Sequence, residues 1–174
     1  MKRTNVYDIS NWFLTKQAMG PKKLQILVFY AYAWEYALFD YPISKECEFQ
    51  AWAHGPVCPA LYHKYKSYTW TKIQRRPSAN AYFIGKEQDV LDAVWEIYGR
   101  MNEEELSELA RSEPPWFNAR AGCDPRENCS TQISEEDMRT FYIKVIPNLL
   151  RMNEWAGPVM KWWAEKQVLT ASGH

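Results

Sequence analysis

The chain has 174 residues, with 47% hydrophobic and 16% aromatic side chains and nine tryptophans. That length suits one ordinary domain whose core needs neither metal nor disulfide to hold it. Its 21 basic and 21 acidic side chains cancel. The cationic excess that neutralises phosphates is therefore missing, and DNA or RNA is not expected as the main ligand.

Thr4 is placed to cap a first helix, with Val6, Ile9 and Phe13 at spacings of three and four and an end near Gly20. Pro21 then suits a first helical position, where its missing N–H goes unused. From Lys22 to Phe39 the sequence reads KKLQILVFYAYAWEYALF. A helix apolar nearly all round is a central, buried one, so this is the expected spine. Cys47, Phe49, Ala51 and Ala53 alternate with polar residues and with Trp52, which predicts a short strand. In "HGPVCP", Gly55 and Pro56 predict a sharp strand-to-helix corner. The helix is expected from Pro56, turning Val57, Leu61 and Tyr65 to the core and leaving Trp52, His54, Tyr62 and Tyr68 on one edge. Residues 70–84 read as a β-hairpin turning at 76–80, with Lys72 to Arg76 as a solvated face.

Lys86 to Met101 carries Val90, Val94, Ile97 and Met101 in helical register. Asn102 with Glu105 predicts a capping box opening the next helix, and Ser112 a cap before the Pro114-Pro115 helix that ends at Gly122. After a polar loop, Ser134 and Asp137 cap the last main helix, which Pro147 is expected to end or kink. Trp155, Trp162 and Trp163 then lie on a C-terminal amphipathic helix with a large aromatic face. The fold class expected is α+β and predominantly α: a compact helical domain around a buried central helix with a small β-hairpin. Residues 1–150 form the domain and 151–174 a Trp-rich helical extension.

No apolar run is long enough to span a bilayer, and no signal-peptide core follows Met1, so a cytoplasmic protein is expected. Cys47, Cys58, Cys123 and Cys129 form no C-x2-C pair and His54, His63 and His174 are the only histidines. No metal or cofactor is expected, and in a reducing compartment the four cysteines are read as free thiols. Nucleophile elbows, phosphate loops and H-E-x-x-H are absent. A hydrolase built on His54 with Cys58 or Ser112 is the catalytic alternative, and a structural histidine at a turn is preferred to it. Trp116 and Arg120, four apart, share a helix face and fit either an internal clamp, from Arg120 to the carboxylate of Glu113 or Asp124, or a partner contact. Trp52, His54, Tyr62, Trp116, Arg120, Trp155, Trp162 and Trp163 are the candidate partner-binding residues, because Trp, Tyr and Arg anchor interfaces.

Four stretches occur in order: GPKKLQILVFYAYAW at 20–34, FQAWAHGPVCPALYHKYK at 49–66, LSELARSEPPWFNARAG at 106–122 and ISEEDMRTFY at 133–142. Together they resemble the Panacea domain of SocA-like antitoxins, a family that includes phage-associated GepA-type proteins. Two positions depart from the family pattern. Gly20 stands where Thr or Ser is usual, and Arg111 where His is frequent, which favours binding over catalysis. The resemblance implies a non-enzymatic antitoxin, often prophage-borne, that neutralises a protein toxin by direct binding. Small alarmone-synthetase-like toxins are among the implied partners. A further role implied by the family is that of an adaptor delivering toxin to the ClpXP protease.

Overall fold

The apolar run after Pro21 forms helix α2 (Pro21–Phe39), and every side chain from Lys23 to Leu38 in it is buried. The structure, a computed structural model, describes residues 4–42, 44, 47–78, 81–152 and 157–173. A helix apolar on all sides is stable only when other elements surround it. Here α1 (Val6–Lys16), α3 (Pro59–Tyr65), α4 (Lys86–Tyr98), α5 (Glu103–Ser112), α7 (Glu135–Arg151) and α8 (Gly157–Ala171) all pack on α2, and the short α6 (Pro114–Ala119) joins α5 to α7. Two strands, β1 (Gln50–Trp52) and β2 (Gly55–Val57), form an antiparallel pair. The result is a predominantly helical molecule with one small sheet, as the sequence led us to expect.

The spine buries two ionisable groups. Lys23 donates to the Gly99 carbonyl at 2.6 Å, and burial lowers its pKa. Glu35 is fully buried, and desolvation raises its pKa to about 9, so it carries a proton at neutral pH.

Capping follows the sequence signals closely. Asn102 and Glu105 close the expected box at α5, and Ser134 Oγ accepts from Asp137 N at 3.2 Å to open α7. At α1 the cap is Asn5 rather than Thr4. Asn5 Oδ1 accepts from Asp8 N at 2.9 Å and Asp8 reciprocates at 3.2 Å, a box that Thr4 could not close with Tyr7. Ser112 is the last residue of α5, and Glu113 takes the cap position of α6.

Three further expectations are corrected. The hairpin lies at 50–57, not at 70–84. Residue Ile73 instead pairs with Met19 in an isolated antiparallel bridge, and Arg76 N donates to the Leu14 carbonyl at 2.9 Å. A lone two-stranded ribbon is marginal in water, and this segment is anchored to the α1–α2 connection instead; residues 79 and 80 of its expected turn lie outside the described residues. Helix α3 starts at Pro59, because Pro56 sits in β2 opposite Ala51. Cys123 and Cys129, six apart, are joined in a disulfide, with Cα atoms at 6.2 Å, while Cys47 and Cys58 are free and buried.

Pro147 neither ends nor breaks α7, which continues to Arg151. Proline removes the N–H that would have bonded the Ile143 carbonyl. Trp163 Nε1 on α8 donates to that carbonyl at 3.1 Å, so the orphaned acceptor is satisfied from the neighbouring helix. Trp162 Nε1 donates to Asp89 Oδ2 at 2.8 Å, and its ring meets Phe39 edge-on at 6.1 Å. Val159 on the same helix is buried.

Candidate partner-binding site

The Gly-Pro stretch makes a tight hairpin followed at once by a helix. Gly55 has a φ of 128°, a conformation open to glycine and strained for other residues. Gln25 of the spine fixes the exit from the hairpin: its Nε2 donates to the Cys58 carbonyl at 3.1 Å and its Oε1 accepts from Cys58 N at 2.9 Å. Such a buried side-chain amide replaces a missing strand partner. Ser107 Oγ on α5 donates to the His54 carbonyl at 2.7 Å and holds the turn from another side. The outer side of β1 is paired too, with Ala51 N donating to the Thr131 carbonyl at 3.0 Å and Ile133 N to the Phe49 carbonyl at 2.7 Å.

Trp116 and Arg120 reach β1 together. Trp116 Nε1 donates to the Trp52 carbonyl at 3.0 Å, and Arg120 Nη1 to the Ala51 carbonyl at 3.0 Å. The buried guanidinium also donates to the Glu127 and Asp124 carbonyls, and its carbon lies 5.5 Å from the Trp116 ring centre. The internal clamp is thus present, with main-chain carbonyls rather than carboxylates as its acceptors. One planar fork ties α6, β1 and the disulfide-bridged loop at 123–129 together.

On the outer face of the hairpin a cleft of about 310 Å³ opens. Pro56, Val57 and Leu61 form its apolar floor; Trp52 and His54 line it from the hairpin, and Tyr62 from α3. The Trp52 and Tyr62 rings lie 4.8 Å apart, tilted by 60°. Trp52 Nε1 is held by Gln50 Oε1 at 2.9 Å, which fixes the indole's orientation. His54 is exposed on the turn, and Tyr62 is 42% exposed. The far wall comes from the start of α2 and from Glu103 of α5.

Beneath the hairpin the chemistry is buried. Cys47 and Cys58 share a hydrogen bond, which with the Leu61 and Ala60 N–H groups at the start of α3 brings the Cys58 thiol down to about 7 despite burial. Both thiols are only 1% exposed. Ser112 Oγ donates to the Leu109 carbonyl at 2.7 Å within its own helix. Glu113 accepts from the Tyr142 hydroxyl at 2.6 Å and from the Tyr30 hydroxyl at 3.0 Å. Desolvation outweighs those two bonds and lifts its carboxyl to about 7. Tyr30 stacks on Tyr98 with ring centres 3.9 Å apart, so Glu113 joins the interior of α5–α6 to the spine.

The structure therefore brings Trp52, His54 and Tyr62 together at one cleft. Trp116 and Arg120 stand behind that cleft and brace it, and Trp162 and Trp163 dock α8 on α4 and α7. Trp155 lies outside the described residues. Sequence reasoning did not single out Gln25 or Ser107, and it considered Glu113 only as a clamp partner of Arg120. Gln25 and Glu113 sat in two of the quoted motifs as polar residues at otherwise apolar or helix-starting positions, which was the available signal.

Among the described residues no group of histidines, cysteines and carboxylates is arranged to hold a metal, and no helix is long and apolar enough to cross a membrane. Neither curated proteins nor solved structures yield a match. A family model described as antitoxin SocA-like, Panacea domain, matches residues 24–117. That segment is just over half of the chain. It runs from α2 through the hairpin, α3, α4 and α5 into α6, and contains Gln25, Trp52, His54, Tyr62, Glu113 and Trp116. The chain belongs to the SocA-like antitoxin family of Panacea-domain proteins.

Proposed function

We propose that this protein neutralises a cognate protein toxin by binding it directly, with the hairpin cleft as the contact and no catalytic step. The observation that supports this most is the open apolar cleft walled by Trp52, His54 and Tyr62, inside the family-matched segment. Two large aromatic rings at the mouth of a preformed apolar cleft suit a hot spot, where a few desolvated anchors carry most of the affinity. The bracing by Gln25, Ser107, Trp116 and Arg120 supports the same reading, because a preordered surface loses less entropy on binding. A covalent reading of His54 gains no support from its surroundings: Cys58 is buried behind the hairpin and Ser112 is bonded within its own helix. Trp116 and Arg120 act on the partner through the shape of the surface, while Trp162 and Trp163 hold α8 to the core.

The toxin is sought in the adjacent reading frame, and a small alarmone-synthetase-like enzyme is the class to test first. Both proteins would act in the cytoplasm. The test co-expresses that toxin with Trp52→Ala, Tyr62→Ala and His54→Ala variants shown to be folded by circular dichroism. Truncating either ring is expected to weaken the complex by about 2 kcal/mol or more, roughly 30-fold in Kd, and to lose growth rescue. Full rescue by the Trp52→Ala/Tyr62→Ala double variant would remove the cleft from the reading. A complex that protects equally in a host lacking ClpXP separates neutralisation by binding from proteolytic delivery.

A further inference from the structure

Charge is distributed unevenly along this neutral chain. From Phe49 to Lys86 there are six lysines and arginines and neither an aspartate nor a glutamate. The compensating acids lie on either side of it: Asp8, Glu35, Asp40, Glu46 and Glu48 before it, and the rest from Glu87 onward. The acid-free segment is the one that folds into the hairpin, α3 and the long connection to α4. It therefore builds one flank of the cleft.

On that flank Lys66 lines the cleft directly and is exposed. Lys72 is exposed as well, and it lies near enough to Lys23 at the start of α2 to help depress that residue's pKa. Neither lysine makes an ion pair among the described residues. The opposite flank differs: Lys22 is tied to Glu104 at 2.7 Å, and Glu103 lines the wall beside it. The cleft thus has an apolar floor, one wall with free positive charge and one wall on which Lys22 is neutralised by Glu104 and Glu103 makes no ion pair among the described residues. Arg75 is exposed and Arg76 half-buried, and both are tied to α1, with Arg75 Nε donating to the Thr15 carbonyl at 2.8 Å and Arg76 Nη1 to Asn11 Oδ1 at 3.4 Å. They brace the connection against α1 and do not extend a track of phosphate-binding cations. That arrangement favours a protein segment over a nucleic-acid strand, which would need such a track.

We infer that the cleft takes an acidic segment of the partner protein, with an apolar or aromatic side chain packed against the paired rings of Trp52 and Tyr62 and carboxylates laid along Lys66 and Lys72. The inference rests on the antitoxin reading for its partner and on the charge pattern for the partner's chemistry. Complementary charge at a rim sets encounter rate and register more than total affinity, so its signature is sensitivity to salt.

The test uses the full chain and three fluorescein-labelled probes, followed by anisotropy. They are the peptide Asp-Glu-Leu-Trp-Glu-Asp, its counterpart with lysine for each acid, and a short oligothymidylate. The acidic peptide is expected to bind, to weaken as salt rises, and to lose about tenfold or more in affinity to the Lys66→Glu/Lys72→Glu variant. Both positions are exposed, so the variant is expected to unfold in urea like the parent. No binding of the acidic peptide, equal binding of the lysine peptide, binding of the oligonucleotide alone, or indifference to the double charge reversal would each overturn the inference. The adjacent-frame toxin is assayed in parallel. If the charge-reversed chain neutralises it as well as the parent does, this inference falls and the antitoxin reading stands. If the peptide discrimination holds while no toxin is neutralised, the acidic-segment site stands and the antitoxin reading falls.

Discussion

Single side chains at the interior joints of this molecule are heavily committed. Arg120 donates to the main-chain carbonyls of Ala51, Asp124 and Glu127 from a nearly buried position. Arg120→Ala leaves those acceptors short of a donor and is expected to lower unfolding stability by about 2–4 kcal/mol in urea titration. Arg120→Lys should recover little of this, because a single ammonium cannot reproduce the fork. Recovery of most of the loss by lysine would show that charge rather than geometry is what matters there. The buried carboxyls make a second residue-scale prediction. Glu35 and Glu113 are raised from 4.5 to about 9 and about 7, chiefly by desolvation. Folding therefore takes up a proton at each, and stability falls as pH rises, through both groups up to about 7 and through Glu35 alone up to about 9. Each contributes at most about 1.4 kcal/mol per pH unit inside its window. Glu35→Gln is expected to flatten the decline of the urea midpoint above neutral pH. A decline unchanged by that substitution would assign it to another group.

At the scale of elements, a helix and its neighbour settle a local conflict. Pro147 denies the Ile143 carbonyl its intrahelical donor, and the Trp163 indole supplies one at 3.1 Å. Trp163→Phe keeps most of the ring area and removes the donor, and is expected to be destabilising by about 1 kcal/mol. Pro147→Ala restores the N–H, so it should be more stabilising in the Trp163→Phe background than in the parent. A double-mutant cycle in urea measures that coupling, and additive effects would mean the two residues act independently. The same elements show what could be read in advance. Helices with their own punctuation were legible: the all-apolar spine behind Pro21, the Asn102–Glu105 box and the Ser134 cap all lie where their residues predict. The small sheet was legible only in its first strand: β1 lies inside the predicted strand, while β2 was read as a corner and the start of a helix. Alternation in residues 70–84 suggested a hairpin, but three-residue strands draw their stability from partners distant in sequence. For β1 these are Thr131, Ile133 and Arg120, and for the end of β2 Gln25, none of which local pattern can reveal. Likewise Pro147 was expected to end or kink α7, because the donor that satisfies the Ile143 carbonyl comes from another helix.

For the molecule as a whole, half of the candidate site was legible and half was not, for a reason of distance. Trp52, His54 and Tyr62 lie within eleven residues of each other, so a turn plus helical spacing was enough to place them on one edge. The opposite wall comes from α2 and Glu103, which only the tertiary fold brings there. The described candidate contacts also divide by location: Trp52, His54 and Tyr62 line the cleft, Trp116 and Arg120 brace it from behind, and Trp162 and Trp163 dock α8 against α2, α4 and α7. We propose that α8 is a stabilising extension, separable from the partner surface. No residue of α8 lines the hairpin cleft. Removing it uncovers Phe39, strips the indole donors from Asp89 and the Ile143 carbonyl, and loses the burial of Val159. At about 25 cal/mol per Å² of apolar area, with two partly buried tryptophans and a buried valine involved, the loss should reach about 3 kcal/mol or more. A chain ending at Met152 is therefore expected to unfold at distinctly lower urea than the full chain. At a temperature where it is still folded, it should rescue growth from the adjacent-frame toxin as well as the full chain does. Unchanged stability would mean that α8 is not part of the core. A folded truncated chain that no longer protects would place partner contacts on α8 and return Trp162 and Trp163 to the recognition surface.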